Sequence, residues 1–244
     1  MTNLAEGDLM KSLFSGCVAV LLLTCGDRAF AADPPSSRPT VATITKVVKS
    51  VSRKAGPAPW EPATKGNRLQ TGDMVKTGEA SLTIVKFADN SLIRIREKSE
   101  LTVTGTLHER SFSKAVEMGA GAIGFRIPKQ NPNEEFRFTS PTSVASIRGT
   151  AGMFAAGADS SDTLTVLEGT IHFVNRFSSS SVEVESGETG ISGRDGLIGT
   201  SPSSPAQRRE AEEALMTGEQ QKTLEMELRN GSGKVKKLRI EYRE

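Results

Sequence analysis

The sequence predicts an all-β protein of short strands and tight turns in a sandwich-like or short solenoid arrangement, with a C-terminal helix and β-hairpin added. Three observations predict it. β-Branched and aromatic residues recur at every second position over short runs, as in Ile123, Phe125, Ile127 and in Leu164, Val166; this is the period of a strand with one face on a core. Gly, Asn, Asp and Ser interrupt these runs at Asp89-Asn90-Ser91 and Ser186-Gly187-Glu188, where a reversal needs positive φ or a side chain that bonds its own turn. A helix start is readable at Ser204, an N-cap residue, followed by Pro205 at the first helical position and then Ala211, Ala214 and Leu215 up to about Met216.

At 244 residues with 36% hydrophobic content the chain buries a real core, and its length allows one domain or two. The 31 basic and 29 acidic residues are interspersed and leave a net charge of +2, so no single-sign field points to nucleic acid or an acidic substrate. Trp60 and Tyr242, the only Trp and Tyr, lie far apart, and a nucleic-acid module would want its stacking aromatics clustered.

The N-terminus reads as an export signal. Lys11 precedes the apolar run Leu13 to Leu23, and Ala29-Phe30-Ala31 supplies the small residues of a cleavage site, placing the mature start at Ala32. A membrane-spanning helix is the alternative, but the run is short for a hydrocarbon core of about 30 Å and is closed by Asp27 and Arg28. Lipidation at Cys25 is a third reading, for which Thr24 is a poor preceding residue. Cys17 and Cys25 both fall in this segment, so the mature chain is expected to lack disulfides, thiol zinc sites and cysteine nucleophiles.

Taken in order, residues 32–40 read as a flexible lead-out, and Val41, Ile44, Val47, Val48 and Val51 as an opening strand closed by the loop Gly56 to Pro62. The stretch 66–103 organises the rest. Leu82 and Ile84 point to one side and Val85 and Phe87 to the other, so both faces of that strand are expected to be buried. Asp89 and Asn90 turn the chain into Leu92, Ile93 and Ile95, and Leu101 with Val103 begins a third strand. Val116 and Met118 form a short strand, Ile123 to Ile127 another, and the glycines from Gly119 to Gly124 turn the chain between them. Those glycines match a dinucleotide fingerprint in form only, because β-alternation and then Pro128 follow where a phosphate-binding helix would have to start.

Phe136 and Phe138 predict a strand ending at Ser140-Pro141. Leu164, Val166, Glu168, Gly169, Ile171 and Phe173 predict a tight hairpin with Glu168-Gly169 as its turn, and Val182 with Val184 a further strand. Ser178 to Ser181 reads as a polar surface loop, and residues 194–205, rich in Gly, Ser and Pro, as a linker. Leu224, Met226 and Leu228, and Leu238, Ile240 and Tyr242, predict a closing hairpin that sets Met226 opposite Leu238, Leu224 opposite Ile240, Glu227 opposite Lys237 and Glu225 opposite Arg239. Continuation of the helix through Leu228 is the alternative. The domain plan is a signal peptide over 1–31, a linker over 32–40, a β domain over 41–193, a linker over 194–205 and the helix and hairpin over 206–244.

One set of residues carries a resemblance. Gly66, Leu69, Gly72, Asp73, Thr77-Gly78, Ser81, Phe87-x-Asp89-Asn90-Ser91 and Ile95 form a first block. Phe138, Pro141, Val144, Ile147-Arg148-Gly149-Thr150, Phe154, Val166-Leu167-Glu168-Gly169 and Gly187-Glu188 form a second. Over roughly residues 40–192 this order resembles the periplasmic FecR domain. Asn90 stands where that family usually has Gly and, as the next-best residue for positive φ, preserves the turn. The motif residues Gly72, Asp73, Asp89, Asn90, Ser91, Arg148, Gly149, Thr150, Glu168 and Gly169 are read as structural. Arg148 has two readings, a fork for an anion or partner carboxylate and a structural arginine bonding loop carbonyls; the second is preferred because no basic residue nearby completes an anion site.

No Ser/His/Asp set or phosphate loop is visible, and of the two histidines, His108 and His172, only His172 has an acid at helical spacing, Glu168, within a β-patterned stretch. No catalytic, metal or cofactor site is therefore expected. The resemblance implies an all-β domain that, in full-length relatives, receives a signal outside the membrane while a cytoplasmic segment contacts a sigma factor. Only a few residues precede the export signal here, so the sigma-regulating activity is not carried over. The expectation is a periplasmic, non-catalytic interaction module whose partner is an envelope protein or glycan, with no nucleic acid and no stable span after signal cleavage. Cell-wall or polysaccharide binding is the alternative, followed by a carbohydrate-active enzyme with paired carboxylates.

Overall fold

Alternating sequence patterns become strands wherever one side of each can face a core, and a computed structural model shows how they share that core. It describes residues 38–108, 111–132, 134–157, 161–216, 221–229 and 235–243. The signal peptide expected over 1–31 lies outside them, as does all but the end of the expected lead-out over 32–40. Among the described residues no helix is long and apolar enough to cross a membrane.

The first half comprises β1 (Thr40–Val48), β2 (Val51–Lys54), β3 (Glu61–Pro62), β4 (Arg68–Gln70), β5 (Asp73–Thr77), β6 (Leu82–Phe87), β7 (Leu92–Ile95), β8 (Glu100–His108) and β9 (Ser111–Ile127). The second comprises β10 (Phe136–Thr139), β11 (Ser143–Ile147), β12 (Thr150–Ala156), β13 (Ser161–Glu168), β14 (Thr170–Asn175), β15 (Ser181–Glu185), β16 (Glu188–Gly193) and β17 (Ile198–Pro202), then α1 (Pro205–Leu215) and the separate pair β18 (Gln221–Arg229) and β19 (Val235–Arg243). The fold is all-β, as the sequence predicts, with a helix near its C-terminal end.

The pairings resolve into two layers. The first sheet runs β4-β1-β6-β7-β9-β12-β13-β16-β17. The second runs β3-β2-β5-β8-β9-β10-β11-β14-β15. β9 belongs to both, pairing β8 through its first part and β7 and β12 through its last. This corrects the expectation of two strands joined by a glycine turn. The glycines bend one continuous strand from sheet to sheet: Gly121 has φ +108°, a Cβ there would collide with Ser99, and the Ala122 N–H donates to Ser99 Oγ at 3.0 Å across the bend.

In the second half the hairpins β10–β11, β12–β13, β14–β15 and β16–β17 lie alternately in the second and first sheets. The chain changes sheet between them at Arg148–Gly149, Glu168–Gly169 and Ser186–Gly187. Glu168-Gly169 is thus a corner and not the expected hairpin turn, since β13 pairs β12 and β16 while β14 pairs β11 and β15. Alternation could not separate the two cases, because both sheets turn their apolar side to one core. At Gly169, with φ +84°, a Cβ would lie 2.6 Å from Thr150 Cγ2 and 2.9 Å from the Gly149 carbonyl oxygen, so stacking of these two corners requires a missing side chain.

Between the sheets lies a continuous apolar core crossed by phenylalanines. Phe87 meets Phe136 edge-on with centroids 4.9 Å apart, Phe138 meets Phe125 at 4.9 Å, and Phe154 links Phe138 at 6.0 Å to Phe173 at 6.4 Å. In β6 Val85 and Phe87 lie in the core, while on the other side Ile84 is buried, Leu82 half-buried and Lys86 exposed, so the expected burial of that face is only partial.

Helix α1 covers part of the outer face of the first sheet. Ser204 caps it, accepting from the Gln207 N–H at 3.2 Å while Gln207 Oε1 accepts from the Ser204 N–H at 2.8 Å. Ala211 and Ala214 pack on Met153, Arg94 Nη1 donates to the Glu213 carbonyl at 2.5 Å, and Arg96 pairs with Glu210 at 2.7 Å. The segment 194–205 is no simple linker, because it contains β17 in register with β16. β18 and β19 pair Leu224 with Ile240, Glu225 with Arg239, Met226 with Leu238 and Glu227 with Lys237, the register that alternation predicts; α1 ends at Leu215 with Met216 as its cap, where the sequence expects it.

Phe87→Ala is expected to cost about 3–5 kcal/mol, as for other fully buried rings. Lys98→Ala, at an exposed corner, should change stability by less than about 0.5 kcal/mol. Urea melts compare them, and equal costs would mean that the core is assigned to the wrong face.

Candidate functional site

The motif residues occupy turns and corners. Asn90 has φ +66° and Asp89 caps the turn, with Oδ1 accepting from the Ser91 N–H at 3.0 Å and Oδ2 from Ser91 Oγ at 2.8 Å. Gly72 has φ +86° and leads into buried Asp73, whose carboxylate accepts from the Gln70 N–H at 2.9 Å and pairs with Arg38 at 3.1 Å. Thr150 is buried behind Gly149, whose φ is +98°. Glu168 is exposed and holds Arg126 through two contacts of 3.0 and 3.2 Å. Of the motif, the structure brings Gly149, Thr150 and Gly169 together; no described contact joins Asp73 to Asp89 or to Glu168.

Asp89 does more than turn the chain. Its Oδ2 receives Lys114 Nζ at 2.8 Å and Gln130 Nε2 at 3.1 Å. The Lys114 side chain is 2% exposed and that of Asp89 19%, so this ion pair ties the turn of the first sheet to the second-sheet part of β9 from inside the sandwich. Burial pushes the Asp89 carboxyl up, but the hydrogen bonds from Lys114, Ser91 and Gln130 outweigh it and hold it below its ordinary 3.8. Lys114 and Gln130 were not singled out from sequence. The signal was present for Lys114, which is in phase with buried Val116 and Met118 on one strand and so had to face the core.

Arg148 corrects the preferred sequence reading. It is exposed at its corner, makes no hydrogen bond to a loop carbonyl among the described residues, and acts through its charge on Glu135. Burial raises the Glu135 carboxyl, while a hydrogen bond from Ser146, the charge and hydrogen bond of Arg137 and the charge of Arg148 bring it below 4.5. His172 pairs at 2.7 Å with Glu183 on the neighbouring strand and not with Glu168; the side chain of His108 is outside the described residues. Among the described residues no His, Cys, Asp and Glu group is arranged to hold a metal ion.

α1 lies on part of the first sheet, and among the described residues the outer face of the second is a broad polar surface. One cross-strand row joins Thr102, Glu117, Thr139, Val144 and Val174, and the next joins Thr104, Ala115, Arg137, Ser146, His172 and Glu183. Two shallow cavities indent it, one of about 520 Å³ lined by Glu100, Thr102, Glu117, Thr139 and Arg176, and one of about 280 Å³ lined by Thr104, Thr106, Glu135 and Arg137. Glu100 and Glu117 share the larger cavity, but Glu100 is paired with Lys76 at 3.2 Å and Glu117 is exposed; neither has the apolar enclosure that readies a carboxyl as a general acid.

This geometry defines a two-sheet β domain whose signature residues serve its own turns, corners and cross-sheet ties. Residues 73–172 match the model of the family described as FecR protein. The match stops within β14, whereas the sheets extend from β1 to β17. Similar solved structures include two of a proposed anti-sigma factor from Parabacteroides distasonis ATCC 8503. The one at 1.65 Å resolution is 12% identical with a TM-score of 0.48, covering 56% of this chain and 62% of its own. The one at 2.50 Å is 14% identical with a TM-score of 0.48, covering 62% of this chain and 66% of its own. This chain thus spans somewhat under two thirds of the first structure's length. No curated protein matches the chain significantly.

Lys114→Met should destabilise by about 3 kcal/mol, at the low end for a broken buried pair because Asp89 keeps its bonds from Ser91 and Gln130. The Asp89 carboxyl titrates lower when folded, so its stabilisation is complete above its ordinary 3.8 and is lost as pH falls through the folded value. Asp89→Asn should therefore flatten the acid limb of a stability–pH curve, and an unchanged limb would remove Asp89 from that role.

Proposed function

We propose that this chain is an exported, non-catalytic FecR-like interaction module of the cell envelope, linked to signalling, and that it binds a protein partner on the outer face of its second sheet. The observation that carries this reading is how the acids are used. Asp73 is held by Arg38, Asp89 by Lys114 and Glu168 by Arg126, while the row Arg137, His172 and Glu183 faces outward on a broad sheet surface. A surface of mixed charge and hydroxyls with shallow cavities suits a flat protein interface. Glycan platforms stack sugar rings on exposed aromatics, and the exposed aromatics among the described residues, Trp60 and Phe177, lie outside these rows. The FecR match supports the link to signalling, since the resemblance implies a domain that receives a signal from another envelope protein.

Cross-linking capture from an envelope fraction tests the surface. Arg137→Glu with Glu183→Arg should lower capture of the partner about tenfold or more, as expected when charges across an interface are reversed, with a melt lowered only by the loss of the exposed Arg137–Glu135 and His172–Glu183 pairs. Retention of the wild-type chain on purified peptidoglycan, lost in the same variant, would replace the protein partner with a glycan.

Export is checked by mass spectrometry of the periplasmic fraction. The expected species begins at Ala32, and a lipid-modified species beginning at Cys25 would replace a soluble protein with an anchored one.

A further inference from the structure

Two neighbouring hairpin turns expose large apolar side chains in a fixed arrangement. Phe177, in the β14–β15 turn, is 59% exposed, and Leu197, in the β16–β17 turn, is 72% exposed. Ser178 Oγ donates to the Gly196 carbonyl at 2.7 Å, locking one turn to the other. Buried Asn175 ties both: its Nδ2 donates to the Gly193 carbonyl at 2.6 Å, and its Oδ1 accepts from the N–H groups of Phe177 at 2.8 Å and Ser178 at 3.0 Å. Folding therefore holds two apolar groups in water on a rigid base.

The same turns carry charge of mainly one sign. Arg176 and Arg194 are exposed. Arg176 uses Nη1 on the Ser140 carbonyl, at 2.8 Å, and the Pro141 carbonyl, at 3.5 Å, and its guanidinium has further N–H donors. Asp195 is the one acid of the two turns, and its Oδ1 accepts from the Leu197 N–H at 3.0 Å.

We propose that these turns dock on an anionic lipid surface, with Phe177 and Leu197 entering the boundary between headgroups and acyl chains and Arg176 and Arg194 bonding lipid phosphates. The knobs belong to separate turns with the hydroxyls of Ser178, Ser179 and Ser180 beside them, so a protein receptor would need matched pockets for each. A bilayer receives such knobs without shape matching, and the guanidinium fork fits phosphate. Two apolar side chains with two cations give reversible attachment, comparable to a single acyl chain at about 10⁴ M⁻¹. Because Arg176 also borders the larger cavity of the open sheet face, the test uses Phe177, Leu197 and Arg194.

In the full chain, Trp60→Phe with Phe177→Trp places the only indole in the β14–β15 turn. Its emission should shift to the blue, and brominated lipids should quench it, with phosphatidylcholine vesicles containing one-third phosphatidylglycerol and not with phosphatidylcholine alone. Leu197→Asp on this background should weaken the response about tenfold or more, and Arg194→Ala should weaken it and reduce its salt dependence. Unshifted emission with anionic vesicles, equal responses to both lipids, or indifference to Leu197→Asp would each overturn the proposal. If the reporter fails to fold, co-sedimentation of wild type against Phe177→Ser with Leu197→Ser decides in the same way.

Discussion

The phenylalanines between the sheets are the constraint on which the rest of the structure depends. Both layers supply them: Phe87, Phe125 and Phe154 come from the first sheet and Phe136, Phe138 and Phe173 from the second, and apart from the contact of Phe136 with Phe138 within β10 the rings meet across the gap. Facing sheets stand about 10 Å apart, so the side chains of both must fill that thickness without voids. A ring buries enough surface to contribute about 1.5–3 kcal/mol. No cysteine lies among the described residues, and packing of this kind is what holds the two layers in register.

Filling one core from two sheets obliges the chain to change layer repeatedly, and the motif residues make that change compact. Gly149 and Gly169 let adjacent corners approach closely. Gly121 carries β9 from one layer to the other within a single strand. Asp73 and Asp89 bond the backbone of their own turns and add a cation each, Arg38 and Lys114. The family signature is thus a description of backbone geometry, and it identifies a fold more directly than a chemistry.

Much of this was legible because it depends on local periodicity. The strand pattern, the Asp89-Asn90 turn, the Ser204 cap and the β18–β19 register all follow from residues close in sequence. What was not legible depends on which layer a strand joins. Leu164 to Phe173 alternates identically whether Glu168-Gly169 closes a hairpin or turns a corner, because both arrangements bury Val166 and Ile171. The Gly119–Gly124 run likewise reads as a turn until β12 is seen pairing its far end. Arg148 and Glu135 lie apart in sequence, and their electrostatic contact appears only once β10 and β11 are paired. The open face of the second sheet could not be found before the helix was placed on the first.

The buried pair of Lys114 and Asp89 shows why the sandwich tolerates charge in its interior. A buried ion pair is weak evidence for stability, since desolvating both groups offsets much of their attraction. Its value here is positional. An apolar residue at 114 would pack against any neighbouring side chain, whereas an ammonium inside the core is accommodated where a carboxylate and other acceptors meet it. That requirement selects the arrangement in which the β6–β7 turn stands over β9 and Gln130 closes the same site. Charge therefore fixes the relation of the layers at this end, apolar packing fills the middle, and the Phe177 and Leu197 turns leave apolar groups in water at the tips of two hairpins. Neither side chain contributes to the apolar core, so it is their fixed exposure at these tips, and not the packing of the sandwich, that the proposed lipid contact uses.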